Sequence, residues 1–234
     1  MTSSSTISVI IPTLNEEKTI GQTLSSLPAT EIPEVIMVDG GSTDQTILIA
    51  EAFCAEASNV RIITAPTGRA RQMNEGAKAS RGDILLFLHA DTRLPTEAQL
   101  MIKAALTDPA VVGGRFDVTF DSHSGFGAMI STLMNRRSRL SGIATGDQAL
   151  FVRRHVFEQL GGFTDIPLME DVEFSRRLKR TGRMAALHQK VTTSFRRWEQ
   201  QGPLRTILLM WTLRFLYWAG VNPMRLSRWY KTVR

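Results

Sequence analysis

Cysteine and histidine are scarce in this chain of 234 residues, which has one cysteine and four histidines. The single Cys54 excludes an intramolecular disulfide and a cysteine-based zinc site, and it favours a reducing compartment. The histidines do not have metal-motif spacing such as HExxH. The first apolar run covers only residues 7–11, so we expect no signal peptide and a cytoplasmic location.

Several nucleotide and hydrolase motifs are absent as well. The chain has no GxxxxGK[ST] loop, which excludes the P-loop mode of nucleotide binding. No GxGxxG follows the first apolar run, so a dinucleotide-binding Rossmann domain would lack its phosphate loop. A serine hydrolase of the α/β class would need a GxSxG elbow, and the sequence contains none.

Acidic residues are almost missing from the C-terminal quarter. Residues 176–234 contain 14 Lys and Arg but only the acid Glu199, whereas residues 1–175 contain 14 Lys and Arg against 21 Asp and Glu. This asymmetry predicts that the C-terminal segment meets phosphates, a membrane surface or nucleic acid, with a solvated basic surface as the alternative.

An uninterrupted apolar run long enough to cross a membrane is also lacking. Residues 203–221 are apolar and aromatic, but Arg205 and Arg214 lie among them, and each would cost roughly 3 kcal/mol at mid-membrane. The segment fits either an interfacial helix or a terminal helix packed on the core. Its aromatic content suits lipid better than nucleic acid, so we expect peripheral membrane contact and no nucleic-acid partner. The basic residues that flank it are Arg225, Arg228, Lys231 and Arg234.

The first hundred residues alternate short apolar runs with helical patterns. This alternation predicts an α/β fold, a Rossmann-like and mostly parallel sheet with helices on both faces. Right-handed crossovers then bring the loops after the strands to one edge, where open α/β sheets bind ligands. Strands are predicted at residues 7–11, 34–38, 60–64 and 84–88, and helices near 15–27, 44–57 and 69–79.

Beyond residue 107 the alternation ends, but no repeat or linker divides the chain before about residue 200. Further strands are predicted at residues 111–120 and 149–152, and further helices near 125–140 and 171–181. Gly182 closes the last of these helices in the manner of a C-cap residue.

Carboxylates stand at two of the predicted strand ends. Asp39 directly follows the second apolar strand and can accept a hydrogen bond from a base or ribose. Asp91 follows the fourth strand by three residues, and a carboxylate there can hold Mn²⁺ or Mg²⁺ together with substrate phosphates. A single aspartate at a strand end is more often a turn residue, but two at corresponding edges favour a nucleotide site.

Four segments together resemble the family 2 glycosyltransferases of the GT-A fold, and they occur in the family's order. They are VIIPTLNEE (9–17), VDGGSTDQT (38–46), GRARQMNEGAKASRGDILLFLHADT (68–92) and MED (169–171). The resemblance implies a GT-A domain over residues 7–200, between a flexible N-terminus at 1–6 and an apolar helix and basic tail at 203–234. The LHADT form, the RRW ending and the compact length resemble a bacterial subgroup assigned to arsenosugar biosynthesis.

The resemblance implies an inverting transfer of a sugar from a nucleotide-sugar donor, with a UDP-sugar favoured, to an acceptor hydroxyl. Asp171, beside Glu170, matches the catalytic base, and Asp91 matches the metal ligand of the DxD motif. His89 departs from that motif, because it stands where the first aspartate is usual. The residues implied to bind the nucleotide sugar are Pro12, Thr13, Glu16, Asp39, Arg69, Arg71, His89, Asp91 and Arg197.

The acceptor side is marked by two shorter patches. Gly146, Asp147 and Gln148 precede a predicted strand and either border the acceptor or form a turn. Arg197 and Trp198 resemble the QxxRW element of processive members, although Ser194 replaces the glutamine. Arg197 would contact the diphosphate and Trp198 would stack on sugar or acceptor, with a basic surface near a membrane as the alternative.

The acceptor itself is not identified by the sequence. A lipid-linked acceptor would suit the apolar tail and a position at the inner face of the plasma membrane. Two alternative functions are a sugar nucleotidylyltransferase and a noncatalytic, nucleotide-binding membrane-surface module. The first would lack its glycine-rich phosphate loop, and the Glu170–Asp171 acid pair argues against the second.

Overall fold

The computed structural model describes residues 5–27, 32–122 and 124–233. For Arg197 and residues 231–233 it describes the backbone only. They form an eight-stranded sheet in the order β3-β2-β1-β4-β7-β6-β8-β5. The strands are β1 (Ile7–Thr13), β2 (Glu34–Asp39), β3 (Val60–Thr64), β4 (Ile84–Phe87), β5 (Thr92–Arg93), β6 (Val111–Phe120), β7 (Leu150–Arg153) and β8 (Arg183–Thr193). The helices are α1 (Ile20–Ser25), α2 (Thr46–Glu56), α3 (Arg69–Ala79), α4 (Ala98–Ala105), α5 (Gly125–Ser141), α6 (Arg154–Gln159), α7 (Glu170–Leu178), α8 (Arg196–Gln201), α9 (Pro203–Trp218) and α10 (Pro223–Val233).

Strands β1 to β4 form a parallel half of the sheet. In it β1 lies between β2 and β4, and β3 lies at the edge. β1, β2 and β4 are apolar and buried along almost their whole length, because both faces of this half are covered. Val9 and Ile11 enter one core cluster and Ile10 enters the other, since successive side chains point to opposite faces. The predicted α/β fold is confirmed.

The second half of the sheet is mixed. β7 runs antiparallel to β4 and to β6, and it thereby joins the two halves. β8 is parallel to β6, and the short β5 is antiparallel to β8. The predicted strands at 111–120 and 149–152 are confirmed, but β8 was not predicted because its sequence, RMAALHQKVTT, has no regular alternation of apolar and polar residues.

The first connection differs from the prediction. β1 continues through Pro12, because β4 pairs only as far as Ile10 and no neighbouring strand needs the missing N–H. The helix then begins at Ile20 rather than near Asn15, whose φ is 54°. Asn15 instead accepts a hydrogen bond on Oδ1 from the Thr43 N–H at 2.8 Å, which ties the loops after β1 and β2 together. Thr6, the last residue of the predicted flexible segment 1–6, donates to Asp83 at 2.9 Å, and residues 1–4 lie outside the described ranges.

The C-terminal helix α9 has one side packed on the protein and one exposed apolar side. One side of α9 packs on the protein, where Leu213 contacts a cluster containing Met169 and Leu226. The opposite side leaves large apolar residues at helical spacing exposed by 61–77%: Leu204, Leu208, Trp211, Phe215 and Trp218. Within the described residues, no helix is both long and apolar enough to cross a membrane.

Candidate functional site

A cavity of about 380 Å³ lies at the edge of the sheet where the parallel strands end, between the loops of the first half and helices α5, α7, α8 and α9. This is the edge at which parallel α/β sheets bind ligands. The predicted site residues that line it are Pro12, Glu16, Arg69, His89, Asp91, Gly146, Asp147, Glu170, Asp171 and Trp198. Thr13, Asp39, Arg71 and Gln148 do not line it, and the side chain of Arg197 lies outside the described part of the chain.

Thr13 and Asp39 shape the loops beside the cavity. The Asp39 carboxylate accepts hydrogen bonds from the Gly41 N–H at 2.8 Å and the Ser42 N–H at 3.0 Å, which closes the turn after β2. Gln72 donates to the carbonyl oxygens of Thr13 and Val38, each at 2.8 Å, and so joins the ends of β1 and β2. The predicted contacts of Thr13 and Asp39 with a nucleotide stay predictions.

One end of the cavity, the acidic end, is formed by Glu16 and Asp91 together with Arg196. Arg196 Nη2 lies 3.3 Å from Glu16 Oε2. Burial raises the pKa of Glu16, and the charge of Asp91 raises it further against the opposing effect of Arg196. Two carboxylates that repel each other in this way attract a cation. Arg196 was not selected from the sequence, where only the neighbouring Arg197 matched a motif.

The acidic end also bears on metal binding. Within the described residues, no group of three or more His, Cys, Asp or Glu side chains could hold a metal ion by itself. Divalent Mg²⁺ and Mn²⁺ are commonly held by one or two carboxylates plus substrate phosphates and water. Glu16 and Asp91 fit that mode of binding and do not fit an all-protein metal site.

His89 lines the cavity and is positioned by its neighbours. Its Nδ1 lies 3.1 Å from Asp147 Oδ1, and its Nε2 is buried with no hydrogen-bond partner among the described residues. A Cβ at position 146 would overlap the His89 ring, so Gly146 is the residue that lets the ring lie there. His89, which departs from the DxD motif, is thus accommodated by Gly146 and Asp147.

Asp171 lines the cavity at the start of α7. The preceding Met169 has φ 69°, a left-handed conformation that is strained for a residue with a side chain and that turns the chain into the helix. Asp171 Oδ2 accepts a hydrogen bond from the Gly146 N–H at 2.8 Å, and Oδ1 accepts one from the Val172 N–H at 2.7 Å. These bonds fix the carboxylate at the cavity wall, where it can accept a proton from a ligand.

Glu170 and Arg69 form a pair behind Asp171. Glu170 is 2% exposed, and its Oε1 lies 3.2 Å from Arg69 Nη1. Burial raises the pKa of Glu170 although the charge of Arg69 opposes the shift. Burial alone would lower the pKa of Arg69, but the carboxylates of Glu170, Asp171 and Asp147 raise it. Glu170 thus holds a cation beside Asp171.

Two predicted residues have structural partners away from the cavity. Arg71 forms an exposed ion pair with Asp165 at 2.8 Å. Gln148 is fully buried, accepts a hydrogen bond from the Thr145 N–H at 3.2 Å and donates to the Phe116 carbonyl at 3.3 Å. Gly146, Asp147 and Gln148 form a single 3-10 turn, so the turn interpretation of this patch is correct and two of its residues nevertheless face the cavity.

A further part of the cavity, the apolar arm, contains Trp198, which was predicted, but its other residues were not predicted. Trp198 packs against Phe120 with ring centroids 5.8 Å apart, and it stacks on Phe195 at 6.3 Å. The remaining apolar residues of the arm come from α5 and α9, which are distant in sequence, so no local pattern could have identified them. They are Ile130, Leu133, Met134, Ile207, Met210 and Trp211, and the guanidinium groups of Arg137 and Arg214 lie among them.

Comparison with known sequences identifies the family. The sequence model of the family described as "Glycosyl transferase family 2" matches residues 8–161, more than half of the chain. The chain is 28% identical over 216 residues to "Probable glycosyltransferase YdaM" of Bacillus subtilis, covering 83% of this chain and 50% of that protein. It is 31% identical over 170 residues to "Glycosyltransferase AglE" of Haloferax volcanii, covering 67% and 55%. The chain spans about half the length of these two curated relatives.

Solved structures share the fold. Staphylococcus aureus TarS 1-349 in complex with UDP-GlcNAc superposes with a TM-score of 0.66 at 24% identity, covering 81% of this chain and 58% of that chain. Mannosyltransferase PcManGT from Pyrobaculum calidifontis, in complex with GDP-Man and Mn²⁺, has a TM-score of 0.62 at 22% identity, covering 82% and 57%. Glucosyl-3-phosphoglycerate synthase from Mycobacterium tuberculosis, with Mn²⁺, UDP and phosphoglyceric acid, has a TM-score of 0.59 at 21% identity, covering 80% and 69%.

Proposed function

The chain belongs to glycosyl transferase family 2, and on that premise we propose that it transfers a sugar from a nucleotide-sugar donor to an acceptor hydroxyl with inversion. The observation that carries the proposal is the position of Asp171, a backbone-held carboxylate in the same cavity as the paired carboxylates Glu16 and Asp91. A UDP-sugar is the favoured donor. Support comes from the similar structures, whose bound molecules include UDP-GlcNAc, UDP and GDP-Man.

In the proposed reaction Asp171 is the base. The acceptor oxygen forms a bond to the anomeric carbon while its proton passes to Asp171, and the bond between the anomeric carbon and the diphosphate oxygen breaks. The nucleoside diphosphate leaves with the bonding electron pair. The hydrogen bonds from Gly146 and Val172 hold the carboxylate ready for this step, and Arg69 lies beside it with its positive charge.

The donor lies, in this proposal, at the acidic end. Asp91, with Glu16 beside it, would hold Mn²⁺ or Mg²⁺. The bound ion would offset the charge that develops on the departing diphosphate. The remaining assignments to the donor are those that the family resemblance implies: Pro12, Thr13, Asp39, Arg69, Arg71, His89 and Arg197. Gly146, Asp147, Gln148 and Trp198 are proposed to border the acceptor.

The C-terminal helices are proposed to rest on a membrane surface. α9 carries an exposed apolar row, and Arg205, Arg225 and Arg228 lie within or shortly after it in the sequence, which is a composition typical of an interfacial helix on an anionic bilayer. Under this proposal, residues 7–200 are the GT-A domain and 203–234 the membrane-contacting segment. A cytoplasmic position at the inner face of the plasma membrane and a place in the arsenosugar subgroup remain predictions from the sequence.

The donor site is tested by calorimetric titration of UDP, GDP, CDP and dTDP in the presence of Mn²⁺, Mg²⁺ or a chelator. We expect one nucleoside diphosphate to bind in a metal-dependent way, and Asp91→Ala to weaken that binding by about tenfold or more. Glu51→Gln, which removes an exposed carboxylate on α2, serves as the control and should bind as the wild type does. If no nucleotide binds under any of these conditions, the transferase proposal is wrong.

A further inference from the structure

Arg137 on α5 has buried polar atoms without partners. Its Nε and Nη2 atoms are inaccessible to solvent and form no hydrogen bond with any described residue. Leaving such donors unpaired is destabilising, so proteins rarely retain them without a use. Among the described residues, no ion pair joins Arg137 to a carboxylate.

A second guanidinium lies close to the first. Burial lowers the pKa of Arg137 to about 10, and the positive charge of Arg214 on α9 contributes to the shift. Two arginines held together in a partly buried place repel each other, and an anion between them would remove that repulsion. We call Arg137 and Arg214 the basic pair.

The basic pair and the acidic end line the same cavity but have different charged neighbours. The carboxylates that act on Arg137 are Asp171 and Asp147, whereas the charges that act on Glu16 are those of Asp91 and Arg196. A ligand anion at the basic pair would therefore lie near the proposed base, Asp171.

The basic pair also belongs to a second, adjoining cavity of about 590 Å³. Its charged lining residues are all basic, since Arg176 and Lys179 join the pair and no acid takes part. Its apolar wall includes Leu140 and Trp218, which are 91% and 77% exposed. Trp218 is also the last residue of the exposed apolar row on α9, so this cavity opens at the surface proposed to meet the membrane.

We propose that the basic pair binds the phosphate group of the acceptor, and that the acceptor is an amphiphilic phosphate whose apolar chain lies against α5 and α9. The inference rests on the proposed transfer reaction and names the class of its second substrate. Guanidinium groups bind phosphate oxygens through paired, charge-assisted hydrogen bonds, which would satisfy Nε and Nη2 of Arg137. The apolar arm and the wall at Trp218 would bury the chain.

The test uses n-decyl phosphate below its micellar concentration, with inorganic phosphate and n-decanol as the comparison probes. Binding is measured by calorimetry on the wild type, Arg137→Gln and Arg137→Lys. The matched control is Arg136→Gln, which replaces the exposed arginine that precedes Arg137 on α5. We expect the wild type to bind n-decyl phosphate more tightly than either comparison probe. Arg137→Gln should bind n-decyl phosphate at least about tenfold more weakly than the wild type does, and Arg136→Gln should bind it with the affinity of the wild type. Arg137→Lys should fall between, because lysine keeps the charge without the paired donors.

The outcomes separate this inference from the proposed function. UDP should bind Arg137→Gln as it binds the wild type, and thermal unfolding should show that the variant is folded. The inference is overturned if Arg137→Gln and Arg136→Gln behave alike, if inorganic phosphate binds as tightly as n-decyl phosphate, or if Arg137→Gln loses UDP instead. Absence of nucleotide binding to the wild type would overturn the proposed function itself, and this inference with it.

Discussion

The two halves of the sheet contribute to the cavity in different ways. In the parallel half, Glu16 and Asp91 lie in loops that follow β1 and β4. In the mixed half, most of the lining residues lie on helices α5, α7, α8 and α9, which are separated by many residues of sequence. The order of the parallel strands positions the first set, whereas the packing of these helices positions the second.

The halves also differ in charge. The parallel half brings two carboxylates together at the acidic end, which suits a cation and the phosphates it would carry. Helices α5 and α9 bring the basic pair and apolar side chains, which suit an anion attached to an apolar chain. Asp171 lines the cavity that both groups share.

The largest effect is expected where the halves meet. Asp171→Asn keeps the size of the side chain and an oxygen for the Gly146 N–H, but it cannot take up the acceptor proton. We expect UDP release from the donor to slow by about 10²–10⁴-fold while UDP affinity stays unchanged. A coupled assay for UDP together with calorimetry measures both quantities. Full turnover in this variant would show that Asp171 is not the base.

Gly146→Ala tests the packing that joins the two halves at His89. The new Cβ would overlap the His89 ring and displace it from Asp147, so we expect the free energy of unfolding to fall by about 1–3 kcal/mol. Gly125→Ala is the matched control, because a Cβ there meets nothing within 4 Å. Urea unfolding measures the change, and the double variant with His89→Ala should recover part of it. Equal stability of the two alanine variants would contradict this account.

The exposed face of α9 is proposed to contact a membrane, and exposed leucines on other helices provide the comparison. Replacing Leu204 and Leu208 by serine should weaken binding to anionic vesicles by about tenfold, since both side chains would lie in the bilayer interface. Replacing Leu48 and Leu100, which are equally exposed on α2 and α4, removes the same apolar surface elsewhere. Vesicle co-sedimentation should show no loss for this second pair. The membrane proposal is wrong if both pairs behave alike or if the wild type does not bind.

The smallest effect is expected at Glu34, which holds the parallel half at the edge away from the cavity. Burial alone would raise its pKa, but hydrogen bonds from Ser8 and the Arg81 N–H and the charge of Arg61 lower it below 4.5. Because the folded pKa is lower than the unfolded one, Glu34 stabilises the protein above about pH 4.5, and the contribution is lost as pH falls through the folded pKa. Glu34→Gln should cost about 1 kcal/mol near pH 7.

Urea unfolding of Glu34→Gln and wild type at about pH 7 and about pH 3.5 checks this linkage. The difference in free energy of unfolding between the two proteins should shrink at the lower pH. Glu51→Gln, at an exposed position, should match the wild type at both. A difference for Glu34→Gln that is independent of pH would assign the effect to packing rather than to charge.

The sequence predicts the parallel half well, because its strands are continuous apolar runs and each loop residue follows a strand in chain order. Asp91 and Asp171 could be selected in this way or from a motif, and both lie at the cavity. Arg196, Arg137 and Arg214 could not, since other arginines lie close to each of them in sequence and only the fold shows which of them line the cavity. The break at Asn15 was missed because that residue bonds to the Thr43 N–H, a partner in another loop.

Titration of UDP with Mn²⁺ into Asp91→Ala and Arg137→Gln, side by side with the wild type, shows whether the donor binds at the acidic end. The predicted result is that Asp91→Ala binds UDP about tenfold or more weakly, and that Arg137→Gln binds it with the affinity of the wild type. That result would assign the nucleotide to the acidic end and show that the basic pair takes no part in binding it. Unchanged affinity in Asp91→Ala, or equal losses in the two variants, would contradict it.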